Sequence, residues 1–310
     1  MAKSRSKTLT QLQYLAVRTI FAIVGIFPLK SSMSFGKYLG RFLGTLLGFF
    51  VPKLTKTANR NLEIALPELS SEKKSAIIKG CYESLGRQLG LIAHFKRFTA
   101  EQVQNLVEIK GREIFERIHA SGRGMLLITG HFGSWEVFNL LPPAFGFPIN
   151  VLVRRIDNQK IEAYVDSLRT TFGAKTIDKT KSARAMFRLL ENGEMLGVMA
   201  DLNAQEREGV FVDFFGVKAS TTASIARLAL KTDAVVIPVF AVWDEVKQKY
   251  IVNIEEPVDF VKTADAEQNV VELTQKVTNS VEKFVRAFPE QWMWIHKRWN
   301  TRPKGEKGFY

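Results

Sequence analysis

Apolar positions along this chain fall into two kinds of run. Residues 8–29 (TLTQLQYLAVRTIFAIVGIFPL) carry one charge, Arg18, and residues 35–50 (FGKYLGRFLGTLLGFF) are nearly as apolar. In the second run Gly36, Gly40, Gly44 and Gly48 recur every four residues, which on a helix aligns them into one smooth ridge. Glycine costs about 1 kcal/mol at a helical position in water. The ridge therefore predicts a helix whose backbone lies close against another, as in small-xxx-small packing of membrane helices. Its other faces carry Phe35, Leu39, Phe42, Leu43, Leu46, Leu47, Phe49 and Phe50.

Beyond residue 70 the pattern changes to alternating short apolar runs and helical periodicity. A helix is expected over residues 71–97, opened by Ser70-Ser71 after Pro67, and Thr99 with Gln102 fits a capping box for a short helix. Leu106–Ile109 reads as a strand, while 125–129 (MLLIT) and 149–153 (INVLV) have the form of buried parallel strands. Ile161, Tyr164, Val165, Leu168 and Phe172 share one face of a helix over 158–172, stopped by Gly173. A second helix is expected over 182–191, and buried strands over 195–200 and 234–242. Tyr250–Ile254 should pair antiparallel with the latter, and a long amphipathic helix should cover 265–288. The alternation predicts an α/β fold with a central mixed sheet flanked by helices over residues 61–310.

Charge sharpens this division. The net charge of the 310 residues is +13, and ten basic residues from Lys3 to Arg60 precede the first acid, Glu63, leaving only +3 for the remainder. A basic N-terminal segment suits nucleic acid or an anionic membrane. The aliphatic ridge favours the membrane and argues against nucleic acid, which has no use for it. Residues 1–60 are therefore expected to form membrane-anchoring or interfacial helices. The charge-free run after Arg18 has 11 residues, whereas a clean span needs about 20, so Arg18 would have to snorkel for residues 8–29 to insert. The single cysteine, Cys81, excludes a disulfide framework and any cysteine-based metal cluster. No His-Glu-x-x-His or EF-hand spacing occurs, so neither metal nor other cofactor is expected.

Four histidines can serve proton chemistry, and His131 stands out. It follows MLLITG and opens HFGSWEVFNLL, a strand-to-helix turn at the carboxyl end of a strand, where ligands gather in open α/β sheets. Glu136 lies five residues on, close enough across such a corner to orient the imidazole and support its charge during proton transfer. Arg154 ends the next strand and can grip a phosphate or stabilise an oxyanion, and Asp201 follows the strand after that. His296 and Arg298 lie among Trp292, Trp294 and Trp299, either walling a substrate site or forming an aromatic belt. His94 and His119 read as structural or exposed, Cys81 as a small core residue, and HFGSWE does not make a Ser134 nucleophile elbow.

HFGSWE resembles the H-x4-D/E motif of glycerolipid-type acyltransferases, and more specifically that of the late acyltransferases of lipid A biosynthesis. Further matches follow in order. Arg154-Arg155-Ile156-Asp157-Asn158 resembles the family's R-x-x-D-N, 210–216 its F-F-G segment, 236–239 its I-V-P block, and 289–302 (PEQWMWIHKRWNTR) its P-E-Q-x-x-W-x-H-x-R signature. Asp201-Leu202-Asn203 departs from an Asp-Gln pair common in the family. The resemblance implies transfer of a fatty acyl chain from acyl carrier protein to a hydroxyl of a lipid A precursor. His131 would be general base, Glu136 its orienter, and Arg154, Asp201 and Arg298 would bind substrate. The enzyme would work on the cytoplasmic face of the inner membrane, with the acidic carrier protein docking on a basic rim and the chain entering an apolar tunnel. The alternatives are acylation of another glycolipid or a phospholipid, and a non-catalytic lipid-binding protein of the membrane.

Overall fold

A computed structural model describes residues 7–50, 52–142, 146, 149–179 and 183–310, without the side chains of residues 47–50. Lys3 and Arg5, the Phe49 and Phe50 side chains, and the expected helix start at Ser182 lie outside the described residues. The chain begins with four helices, α1 (Lys7–Val24), α2 (Leu29–Phe50), α3 (Pro52–Ala65) and α4 (Ser71–Ile92). Ser70 caps α4 by accepting from the Lys73 amide, and Thr99 with Gln102 makes the expected capping box on α5 (Ala100–Leu106). The run 71–97 is not one helix: α4 ends at Ile92, and a 3-10 turn over Phe95–Arg97 follows.

The glycine ridge does bring two backbones together, and its partner is α4. A Cβ on Gly86 would sit 2.0 Å from the Gly36 oxygen, one on Gly40 2.3 Å from the Tyr82 oxygen, and one on Gly90 2.4 Å from the Ser32 oxygen. Among the described residues no helix is long and apolar enough to cross a membrane, so spanning N-terminal helices are not confirmed. Arg18 lies 5.8 Å from the rings of both Tyr14 and Tyr164. Leu9, Leu12, Ile23, Ile26, Phe35, Tyr38 and Phe42 nonetheless remain exposed on α1 and α2 and the turn between them. The expected boundary after residue 60 falls within α3, whose Ala58, Leu62 and Ala65 join the main core.

The seven-stranded sheet has the order β1-β9-β8-β2-β5-β3-β4. Its strands are β1 (Val107–Lys110), β2 (Met125–Thr129), β3 (Asn150–Val153), β4 (Lys175–Asp178), β5 (Met195–Met199), β8 (Val235–Asp244) and β9 (Lys249–Ile254). Only β8 and β9 run antiparallel, as expected for residues 250–254; the other pairings are parallel. A separate hairpin, β6 (Gly209–Phe214) with β7 (Val217–Thr222), packs near the site. The remaining helices are α6 (Arg112–His119), α7 (Gln159–Arg169), α8 (Ala183–Glu191), α9 (Ser224–Thr232) and α10 (Ala266–Ala287). Alternation along β2 divides the interior: Leu126 and Ile128 join the core with α10, whereas Met125 and Leu127 face the second core with Phe115 and Tyr250. This mixed sheet clothed by helices is the expected α/β architecture.

Candidate active site

β2 lies between β8 and β5, with Thr129 in register with Met199, so both strands end at the same edge. Two residues past each end stand His131 and Asp201. His131 donates its backbone N–H to Asp201 Oδ2 at 2.7 Å, and its Nδ1 lies 2.9 Å from Oδ1. Trp292 donates Nε1–H to Oδ2 at 2.9 Å. Burial alone would raise the Asp201 pKa. The opposing pull of His131, through charge and hydrogen bonds, and the Trp292 bond hold it down at about 2. An ionised carboxylate can only accept, so Nδ1 carries a proton, and Nε2 is the nitrogen that holds the lone pair whenever the ring is neutral; the ring lines a cleft.

The local chain is shaped for this. Gly133 has φ +53°, and a Cβ there would meet the Ala241 oxygen at 2.1 Å, so the turn after His131 needs glycine twice over. The C-terminal strap closes over it: Gly133 N–H donates to the Gln291 oxygen at 2.9 Å and Met293 N–H to the His131 oxygen at 3.0 Å. Behind the strap, Asn61 of α3 donates to the oxygens of Trp294 and His296, both at 2.6 Å. That is how α3 braces the site.

Glu136 does not reach the histidine. It lies in a 3-10 turn over Trp135–Leu140, is buried, and accepts from Arg169 Nε at 3.0 Å and Asn139 Nδ2 at 2.8 Å. Burial works against the Arg169 charge, but the Glu136 bond and charge prevail and raise its pKa. The orienting carboxylate beside His131 is Asp201, which the sequence reading had assigned to substrate. Asp201, 2% exposed, is behind the ring rather than in the cleft.

Arg298 is likewise corrected. It is fully buried, donates Nη1–H to the Ser220 oxygen at 2.8 Å, bonds Thr221 Oγ1, and lies 5.0 Å over the Phe214 ring. Burial lowers its pKa to about 10, with Asp201 opposing. It staples β7 beneath the site and does not line the cleft. Asn203 ties the loop after β5 to Thr301 through two bonds of 2.9 Å. Cys81 is buried, with its pKa pushed by burial to about 12, so it is an inert core thiol.

The cleft itself is a cavity of about 570 Å³ over the ends of β2, β3, β4 and β5, lined by His131, Trp135, Arg154, Lys179, Ser224 and His296 among others. Arg154 is exposed and has no side-chain partner among the described residues, whereas Arg155 is engaged by Glu162 at 2.8 Å and Asp166 at 2.7 Å. Lys179 was not foreseen, because β4 is too short and too polar to read as a strand. His296 has its Nδ1 buried without a partner, and burial lowers its pKa to about 4. Among the described residues, no three His, Cys, Asp or Glu side chains could together hold a metal.

The arrangement is an imidazole held on one side by a buried carboxylate, with two cations lining the same cleft. Comparison with known proteins is consistent with that chemistry. A family model described as bacterial lipid A biosynthesis acyltransferase matches residues 2–301. The lipid A biosynthesis lauroyltransferase of Escherichia coli (strain K12) is 28% identical over 277 residues, covering 88% of this chain and 87% of its own. The myristoyltransferase of the same strain is 24% identical, covering 84% and 80%. Lipid A biosynthesis acyltransferase 2 of Shigella flexneri is 25% identical, covering 85% and 84%.

Proposed function

The chain belongs to the bacterial lipid A biosynthesis acyltransferase family, and we propose that it moves a fatty acyl chain from acyl carrier protein to a hydroxyl of a lipid A precursor, with His131 as general base. The observation that carries this reading is the 2.9 Å contact of Nδ1 with Asp201, which leaves Nε2 free to take a proton. An alcohol is a poor nucleophile at neutral pH. Its oxygen attacks the thioester carbon as Nε2 removes its hydrogen, and Asp201 stabilises the imidazolium that forms. The tetrahedral intermediate collapses, the carbon–sulfur bond breaks, and the imidazolium returns the proton to the departing sulfur. No covalent acyl-enzyme is needed.

Arg154 and Lys179 supply positive charge at the rim of the cleft, suited to a phosphate of the acceptor or to the developing oxyanion. The exposed apolar residues of α1 and α2, together with Lys30, Lys37 and Arg41, suit an interfacial position on the cytoplasmic leaflet of the inner membrane. The decisive experiment is mass spectrometry of products made from acyl carrier protein thioesters and a lipid A precursor. His131→Ala should lower kcat roughly a thousandfold with its melting temperature kept. Turnover near that of the wild type in a folded His131→Ala protein would overturn the assignment.

A further inference from the structure

Beside the cleft lies a second, narrower cavity on the Leu127 face of the sheet. Trp135, Glu136, Leu152, Val153, Arg169 and Met199 line both, so the second adjoins the first as a branch that movement of these shared side chains would open. Its remaining walls are mostly apolar: Phe115, Leu127, Phe138, Val151 and Val239. Gly197 opens its floor from the middle of β5. A Cβ there would find only ordinary contacts, 3.6 Å from the Asn150 oxygen, so no close packing demands glycine at this central strand position. If a fatty chain is transferred at His131, this branch is where its apolar part can lie. This inference therefore rests on the acyltransferase reading above.

Two polar atoms break the apolar lining. Thr129 Oγ1 and Asn139 Oδ1 have no hydrogen-bond partner, although Thr129 is 8% exposed and Asn139 3%. The orientation of Asn139 is not arbitrary. Its Nδ2 donates to the Glu136 carboxylate at 2.8 Å and to the Glu136 carbonyl at 3.2 Å. A carboxylate cannot donate, so the amide nitrogen must face it and the bare oxygen is Oδ1. Thr129 is the last residue of β2, two positions before His131. The unpaired hydroxyl thus lies at the end of the strand that leads into His131.

We propose that this corner selects an acyl donor bearing a hydroxyl near its thioester carbon, as a 2- or 3-hydroxyacyl chain does. One hydroxyl meets both needs: it donates to Asn139 Oδ1 and accepts from the Thr129 hydroxyl. The room in the branch is about 40 Å³, space for water but not for a chain, so an entering chain widens it and displaces what is there. A plain chain leaves both polar atoms dry and unpaired, and a hydroxylated chain replaces the lost bonds. Sites that hydrogen-bond a substrate hydroxyl discriminate strongly against the analogue lacking it. Glu136, in pinning Asn139, acts here as a positioning residue for recognition of the chain.

The test compares kcat/KM for acyl carrier protein thioesters of matched length, plain, 2-hydroxy and 3-hydroxy, with a single lipid A precursor as acceptor. The wild-type protein should favour one hydroxylated chain by about tenfold or more. Thr129→Val should bring that ratio close to one, and Thr129→Ser, which keeps the hydroxyl, should restore it. Because the Thr129 hydroxyl makes no bond, Thr129→Val should melt no lower than wild type. A wild-type ratio at or below one overturns the proposal, as does a preference that survives Thr129→Val. Transfer of plain chains without a hydroxyl preference removes this inference alone. Failure to transfer any chain removes the acyltransferase reading and this inference together.

Discussion

The glycine seam between α2 and α4 and the corner where β2 ends are both places of close approach, and they are encoded in opposite ways. The seam is written locally. Glycines spaced by four on α2 meet Gly86 and Gly90, likewise spaced by four on α4. The corner is written across the fold. His131 and Asp201 are 70 positions apart, and only the neighbouring placement of β2 and β5 brings them within 2.9 Å. Periodicity shows that a surface is built for contact, but strand order chooses the partner.

The seam is the place where substitution should do most damage. A side chain at Gly86 meets backbone rather than a flexible side-chain end, with the Gly36 oxygen 2.0 Å from the new Cβ. Gly86→Leu must force the two helices apart and should cost about 4 kcal/mol or more. Gly308→Ala, with nothing within 4 Å of the added carbon, is the matched control and should be neutral. Denaturant melts of both variants check this. A stable Gly86→Leu protein would mean that α2 is only loosely placed on the domain.

The corner should fail through activity before stability. In Asp201→Asn the amide can donate to Nδ1, which moves the ring proton to Nε2 and removes the lone pair that the base needs. A loss of about a hundred- to a thousandfold in kcat follows. Glu136→Gln should do the reverse, lowering the melting temperature because Arg169 loses its charged partner while kcat falls less than about tenfold. Steady-state kinetics with melting curves on both variants checks the pair. The contrast breaks if Glu136→Gln is folded and inactive while Asp201→Asn turns over normally.

The buried runs 125–129, 195–200 and 234–242 are strands because apolar runs this short, flanked by glycine and polar residues, bury fully in a central sheet. β4 and the β6–β7 hairpin were not foreseen, since KTID and VKASTT carry too many polar residues and owe their strand form to pairing. His131 was legible from its place after MLLITG. Its partner was not, because a five-residue separation is equally compatible with a carboxylate turned away, and the turn at Gly133 sends Glu136 towards Arg169. Arg298 misled for a related reason: a cation among tryptophans reads as ligand-binding, but both of its terminal nitrogens are turned to Ser220 and Thr221 rather than to the cleft.

The two imidazoles of the cleft sharpen the comparison at smaller amplitude. His296 is fixed to the frame through its carbonyl, which accepts from Asn61, while its ring nitrogen Nδ1 is buried without a partner. Burial holds its pKa near 4 in the folded protein. The unfolded chain, with an ordinary histidine near 6.5, takes up a proton that the native state refuses. The stability from this group is therefore complete well above pH 6.5 and is lost as the pH falls towards 4, the loss reaching about 2 kcal/mol by pH 5. His94, whose pKa is also lowered by burial, adds loss of the same sign, so the informative quantity is the difference between wild type and His296→Phe. Urea unfolding at pH 7.5 and pH 5 should show a smaller decline in the variant. An equal decline in both proteins would mean that His296 is charged in the native cleft and that burial does not hold it neutral there.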